Sequence, residues 1–467
     1  MAARGEYESF QVVVHGGGGA PVIVTDVSVS DLHGPGDSII SRDDITLYRE
    51  HYIEVKRGTP DWGGSNRPLG AGRYADALVP FVHPDTGAPL NGAIRARGMT
   101  VEPGANQPYW VDVLVPTTAA AGTYTGQYVV TTDRAVFAGP VTLTVLDFTL
   151  PVVPSLYTAF LNSSQRESIN QELLRHKLMP AVPIDSLGPL LSDDRLNAVS
   201  TGFYSGADRD SCRMAPPPPV AEIAAVAARR PPQALIYNYT ADEISECEGL
   251  TARLQEWARN LHEAGVRQLV TMPPDPALFT DGRGGAGIDI WAVLPKDFDA
   301  GTIEQMYQAS AEMQLWSYTA VAQDNYSPKW LIDFSPTNFR ILPGFLNQAM
   351  GVTGTLYWRV DNWHGEPWET AVMYDGTYPG DGMLVYPGEQ VGMPGGAAPS
   401  IRLKWIRDGV EDYAYAEFTR AVGATAETTR IIRSVAQDWH TWSADPDELL
   451  RARLELASVV LRARASR

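Results

Sequence analysis

The sequence predicts a multidomain β plus α/β protein: an N-terminal antiparallel β-sandwich, a (β/α)8 TIM-like barrel with room for one degenerate βα unit, and a C-terminal helical segment. Three observations predict it. Residues 6–150 alternate apolar and polar side chains in short runs broken by turn residues, which is the pattern of half-buried strands. Beyond residue 151 short apolar runs alternate with amphipathic helical stretches, which implies parallel strands with crossover helices. The last part carries helical periodicity alone.

The sandwich runs include YESFQVVVHGGGG, PVIVTDVSVSDLHG, QPYWVDVLVPTTAAAGTYTGQYVVTT and GPVTLTVLDFTLP. The stretch from His51 to Pro89 reads as a glycine-rich insertion, long for a loop, of the kind that is functional or packed on a neighbour. The stiff LPVVPS segment sets a boundary near residue 150. The expected division is 1–150 sandwich, 151–420 barrel and 421–467 helical extension packed on the barrel.

Six barrel strands are clear: LYTAFLN, ALIYNYT, RQLVTMP, GIDIWAVL, MQLWSYTAV and GTLYWRVDNW. Two weaker ones fall at 177–184 and 201–206. The irregular 185–233 region, with its PPPP run, is the expected place of a degenerate unit, and a doubly wound sheet is the alternative fold. ESINQELLRHK and GLTARLQEWARNLHEAG show helical spacing between strands. Asp445-Pro446 reads as a helix start.

Charge and composition narrow the function. Net charge is −18 and there is no basic cluster, P-loop or dinucleotide fingerprint, so nucleic acid is disfavoured as a partner. No run of 18 apolar residues suggests a membrane span. Cys212 and Cys247 are too few for a zinc site, no metal ligand set stands out and no cofactor is expected. Both lie on loops at the mouth end, before and after the fourth strand, and are expected to pair as a disulfide. The chain opens abruptly in a strand, which points to residues upstream, such as a signal peptide. A secreted or periplasmic location is expected, with a cytoplasmic one as the alternative.

Active sites of parallel barrels sit where strands end on the C-terminal face. Here those positions carry Asn162, Tyr239, the adjacent Asp242 and Glu243, Trp291, Trp316, Tyr318, Tyr357, Trp358, Asp361, Asn362, Trp363 and His364. Aromatic faces with carboxylate and amide groups suit a neutral, hydroxyl-rich ligand such as a sugar. Cleaving a glycosidic bond needs an acid for the leaving oxygen and stabilisation of the cationic anomeric carbon. Neighbouring residues on a strand face opposite ways, so a bulge or turn must bring Asp242 and Glu243 together. Double displacement uses carboxylates from separate strands about 5 Å apart, so an adjacent pair suits substrate assistance better. The competing view is that the pair merely opens the helix that follows, where acidic residues are enriched.

These motifs resemble a known family. GVTGTLYWRVDNWHGEPWE, GMLVYPG and SIRLKWIRDGVEDYAYAEF are similar to the C-terminal signature of glycoside hydrolase family 123-like proteins, also known as domain of unknown function 4091. EYESFQVVV resembles the opening strand of the sandwich before their barrel, MQLWSYTAVAQDNYSPKWLID their tryptophan strand, and YNYTADE occupies the place of their catalytic Asp-Glu pair. The resemblance implies a retaining, substrate-assisted exo-β-N-acetylgalactosaminidase. Glu243 would be the acid/base, and Asp242 would orient the substrate's acetamido group and stabilise the oxazolinium-like intermediate. Two departures stand out: Ile244-Ser245-Glu246-Cys247 follows the pair where the family has proline or a small residue, and the 185–233 segment is short. Two other readings remain open at this stage. One keeps Glu243 as acid and takes Asp361 or Asp324 as nucleophile on a sugar without an acetamido group. The other is a non-catalytic carbohydrate-binding protein. The expected partner throughout is a glycan, with the oligomeric state undetermined.

Overall fold

A computed structural model of the chain describes residues 1–321 and 323–465. The N-terminal region forms two sheets packed face to face. One holds strands Tyr7–His15, Asn106–Leu114, Ile45–Val55 and Gly72–Pro80 in that spatial order, all antiparallel. The other is built on Val136–Thr149, Gly122–Thr132 and Val22–Val29. Alternation, with one register irregularity between Val24 and Asp26, explains the packing: Val24, Val27 and Val29 turn inward to meet Val111, Val113 and Tyr109. The expected 51–89 insertion thus contains a strand pair, because its alternating YIEV and RYADALVP flanks pair with each other, while 81–89 is loop. The 56–71 stretch between the strands is also loop. It packs on the barrel: Thr59 donates to Asp333, and the Asn66 amide donates to Asn338 and to the Ser327 carbonyl.

The second region is a parallel seven-stranded sheet, curved into a nearly closed barrel. Its spatial order is Tyr157–Phe160, Gly354–Tyr357, Gln314–Tyr318, Ile290–Val293, Arg267–Thr271, Leu235–Asp242 and Ala198–Ser200. Single bridges from Phe160 to Pro180 and from Pro183 to Ser200 run along the remaining gap. The 177–184 segment therefore occupies the position expected of a strand, but Pro180 and Pro183 lack the amide hydrogens that a ladder needs. The other weak candidate is displaced: the strand is Ala198–Ser200, and 201–206 is loop.

Most crossovers carry a helix, such as Glu167–Arg175, Val220–Ala227, Thr251–Glu263 and Ala300–Ala309. The 185–233 region retains the Val220–Ala227 helix, but ahead of Ala198 it has only the kinked 3-10 turn Ile184–Ser192. The connection from Thr271 to Ile290 is reduced as well, since proline and glycine leave only a short turn at Pro276–Leu278. A cavity of about 710 Å3 opens there, beside the N-terminal ends of the strands.

Helix Ile401–Ala421 joins the two regions, and with its N-cap Ser400 it carries the SIRLKWIRDGVEDYAYAEF motif. Its polar residues are buried ion-pair partners: Arg402 holds Asp76, Lys404 and Arg407 hold Asp112, Glu411 holds Lys177, and Asp412 holds Arg340 and Arg453. Burial would raise the Asp112 carboxyl, but Arg407 and Lys404 hold it well below the usual range. Helix Pro446–Ala465 closes the same junction, with Arg453 reaching Glu6 at 2.7 Å. This motif therefore fastens sandwich to barrel. Among the described residues no helix is long and apolar enough to cross a membrane.

Candidate active site

The Leu235–Asp242 strand contains an irregularity that decides where its carboxylates point. Tyr239 pairs with Leu269, but Ala241 pairs with Val270, so Thr240 is an extra residue. Tyr239 and Leu269 both face the barrel interior, whereas Ala241 and Val270 both face the helical layer. Without the bulge, Asp242 would share the outward face of Thr240. With it, Asp242 returns to the inward face, three residues after Tyr239 and opposite Thr271. The Tyr239 hydroxyl donates to Asp242 Oδ1 at 2.8 Å, and Thr271 Oγ1 donates to the same oxygen. Oδ2 accepts no hydrogen bond from the described residues and Asp242 is exposed.

Glu243 is turned into the same mouth by its backbone. Its φ is +48°, in the left-handed region that non-glycine residues seldom adopt. Its amide donates to the Thr271 carbonyl at 2.9 Å, which holds the turn against the next strand. The Tyr318 hydroxyl donates to Oε1 at 2.9 Å, and Arg209 donates to Oε2 at 3.0 Å. Cys212, Val321, Tyr374 and Tyr378, on loops that follow other barrel strands, also have positive φ. Strain of this kind costs of order 1–3 kcal/mol per residue and gathers at functional sites.

Glu243, Tyr318, Thr271, Arg209, Lys296 and Gln323 line a cleft of about 510 Å3, within the rough 300–1,000 Å3 range of small-ligand sites. Burial, with the neighbouring Glu243 and Asp242 charges, pushes the Tyr318 hydroxyl far above its ordinary value, so it remains a donor. Tyr239 is raised for the same first reason, burial, and then by Asp242. The exposed Tyr204 ring stands edge-on to Tyr239, with centroids 6.5 Å apart. The aromatic wall beside the pair is therefore made of tyrosines.

Strand parity sorts the remaining aromatics. Trp291 and Tyr357 face outward into the helical layer, Trp291 against Phe279 and Tyr357 against Trp330. Trp316 faces inward, but one layer below Tyr318, stacked on Tyr157 in the barrel core. Asn162 is buried and bonded to Asn170 and Arg166. Asp361 is buried and accepts from the amides of Ser163 and Ser164 and from Arg359. Asn362 pairs with the exposed His364, and Trp363 donates to the Val385 carbonyl beneath the Arg166 guanidinium. Trp358 is half-buried and donates to Asp381, which also accepts from Tyr374 and the Val321 amide. Asp324 is taken up by Lys329 and Ser327. The pair is thus brought together with Tyr239 and Tyr318, and Asn162, Trp291, Trp316, Tyr357, Asp361, Asn362 and Trp363 occupy core or loop-anchoring places.

Sequence reasoning missed Thr271, Arg209 and Tyr204. Thr271 ends its strand and was accessible to the same strand-end rule. Arg209 had a fainter signal. Cys212 and Cys247 form a disulfide with Cα atoms 5.4 Å apart, and it carries Arg209, three residues before one cysteine, to Glu243, four before the other.

Residues 289–419 match the family description "Glycoside hydrolase 123, catalytic domain", a span that starts beyond Asp242 and Glu243. No curated protein matches the chain. Among solved structures, a family 123 glycoside hydrolase from Clostridium perfringens, studied for glycolipid glycan hydrolysis, superposes with a TM-score of 0.68 at 13% identity. The alignment covers 100% of this chain and 93% of that one, and shows a shared fold. A Bacteroides uniformis β-glucuronidase aligns at 10% identity over 82% of this chain and 47% of its own, with a TM-score of 0.31. A Parabacteroides merdae β-glucuronidase aligns at 9% over 71% and 47%, with a TM-score of 0.25; neither likeness carries weight. By class, residues 289–419 are similar to the catalytic domain of a glycoside hydrolase. Within that class the similarity is to family 123, one of whose members shares the fold of the whole chain.

Proposed function

We propose that the chain is a retaining exo-glycoside hydrolase that removes a β-linked N-acetylhexosamine, foremost β-N-acetylgalactosamine, using the substrate's own acetamido group as nucleophile. The reading takes 1–150 as sandwich, 151–420 as a (β/α)8 catalytic barrel whose incomplete strand is 177–184, and 421–467 as a helical extension.

The observation that carries it is the different anchoring of two adjacent carboxylates. Asp242 has one oxygen fixed by Tyr239 and Thr271 and the other open to solvent, suited to accept the acetamido N–H. That contact aims the acetamido carbonyl oxygen at the anomeric carbon. As the C1–O bond forms, the glycosidic C–O bond breaks, its electron pair moves to the leaving oxygen, and Glu243 gives that oxygen its proton. The resulting oxazolinium cation lies beside the Asp242 carboxylate. Water then adds to C1 from the leaving-group side and loses a proton to Glu243, the acetamido oxygen departs, and the β configuration is restored. The glycolipid glycan hydrolysis described for the Clostridium perfringens relative is consistent with such a substrate.

A screen of aryl β-glycosides tests the reading. Turnover of β-GalNAc or β-GlcNAc glycosides, with none of the β-galactoside or β-glucoside, is the expected result. Preference for a sugar without the acetamido group would refute substrate assistance.

A further inference from the structure

Glu243 accepts two donors, Tyr318 on Oε1 and Arg209 on Oε2. A carboxyl whose two oxygens both accept in this way has neither free to donate. To donate a proton, one oxygen must exchange its donor for that proton and face the glycosidic oxygen. Tyr318 is not free to leave: it sits in a strand, 5% exposed, with its ring in the barrel core. Arg209 is on a loop, and its side chain is 64% exposed.

The loop backbone is nevertheless fixed. The Cys212–Cys247 disulfide ties it to the segment after Glu243, and the Asp208 amide donates to the Arg213 carbonyl at 3.0 Å. Asp208 Oδ1 also accepts from the amides of Asp210 and Ser211. Only the Arg209 side chain has room to rearrange. Around it the cleft is mainly polar: Asp210, Glu246, Lys296, Asp297 and Gln323 line it, beside Met272, Pro273 and Leu294 and the Tyr318 ring. Such a lining suits hydroxyl groups rather than an apolar leaving group.

We propose that Arg209 positions the acid/base by exchange: it caps Glu243 Oε2 in the free enzyme and moves onto the hydroxyls of a leaving-group sugar when substrate binds. The cleaved bond is then one between two sugars. The inference rests on the proposed function, with Oε2 as the proton-donating atom and Arg209 as the residue that selects the leaving group.

The experiment compares a disaccharide of β-GalNAc linked to galactose with 4-nitrophenyl β-GalNAc, in wild-type, Arg209→Ala and Arg209→Lys proteins. For Arg209→Ala the ratio of kcat/KM for disaccharide over aryl glycoside should fall about tenfold or more, the worth of a charged hydrogen bond. The loss should lie in KM and not in kcat, because Glu243 also loses its competing donor. Arg209→Lys should recover part of the affinity. An equal fall on both substrates, or a fall carried by kcat, would overturn the assignment. If the wild-type chain turns over neither substrate, the proposed function itself fails; turnover with an unchanged ratio overturns only the role of Arg209.

Discussion

Two strand ends of the barrel carry nearly the same chemistry in sequence and use it differently. Residues 237–243, YNYTADE, and residues 357–364, YWRVDNWH, each combine aromatics with carboxylate or amide side chains. At the second, Asp361 is buried and takes the amides of Ser163 and Ser164, and Trp363 caps a backbone carbonyl. These groups have protein partners for their polar atoms, and they anchor the loop that follows the first barrel strand. At the first, Asp242 keeps an open oxygen and Glu243 shares a cleft with Arg209. Polar groups already satisfied by the backbone brace a fold; an oxygen left open, as on Asp242, or held by an exposed side chain, as on Glu243, remains available for a ligand.

Substitutions at the two ends should separate along that line. The largest effect is expected for Glu243→Gln. Its kcat/KM on a poor leaving group should fall by about 10²–10⁴, the usual worth of a general acid, and much less on 4-nitrophenyl glycosides. Equal losses on both would remove the proton-donor role. Asp242→Asn should follow at about 10²-fold on either leaving group, since orienting the acetamido group is needed whatever departs. Full activity in that variant would break the comparison from the catalytic side.

Asp361→Ala should act on stability instead, costing about 3 kcal/mol for buried donors left without their charged acceptor. Thermal melting measures this, and kcat/KM of the folded protein should fall far less than in either variant above. A stable but inactive Asp361→Ala protein would move the second strand end into the site. The smallest effect is expected in the sandwich, at Glu50. Burial pushes its carboxyl from 4.5 to about 7, so the folded state keeps a proton that the unfolded chain has lost. Stability from this group is full below pH 4.5 and is lost as pH rises towards 7, with a slope on the order of 1 kcal/mol per pH unit. Glu50→Gln should flatten that part of the melting-temperature profile; an unchanged profile would contradict the assignment.

The layers of the fold were legible because periodicity reports burial directly: period two in QPYWVDVLV and helical spacing in GLTARLQEW. The purpose of the SIRLKWIRDGVEDYAYAEF helix is not legible in its periodicity. Charged residues such as Arg407 and Asp412 would ordinarily face solvent, yet they are buried ion-pair partners, and the partners Asp112 and Arg340 lie far away in sequence. At the site, the pair and the need for a bulge could be read from YNYTADE. Which aromatics face the mouth could not, because parity depends on register: Trp291 and Tyr357 fall on the outward face, and only Tyr318 reaches Glu243. Arg209 lay in a stretch without periodicity, and a disulfide brings it to the site.

The central claim is that Asp242 directs the substrate's own acetamido group, and inhibition by a GalNAc-derived thiazoline measures it most directly. The account expects competitive inhibition of aryl β-GalNAc hydrolysis in the wild-type protein, weakened at least about tenfold in Asp242→Asn, the worth of one charged hydrogen bond. Hydrolysis that proceeds unaffected by the thiazoline, or inhibition of equal strength in both proteins, would contradict it.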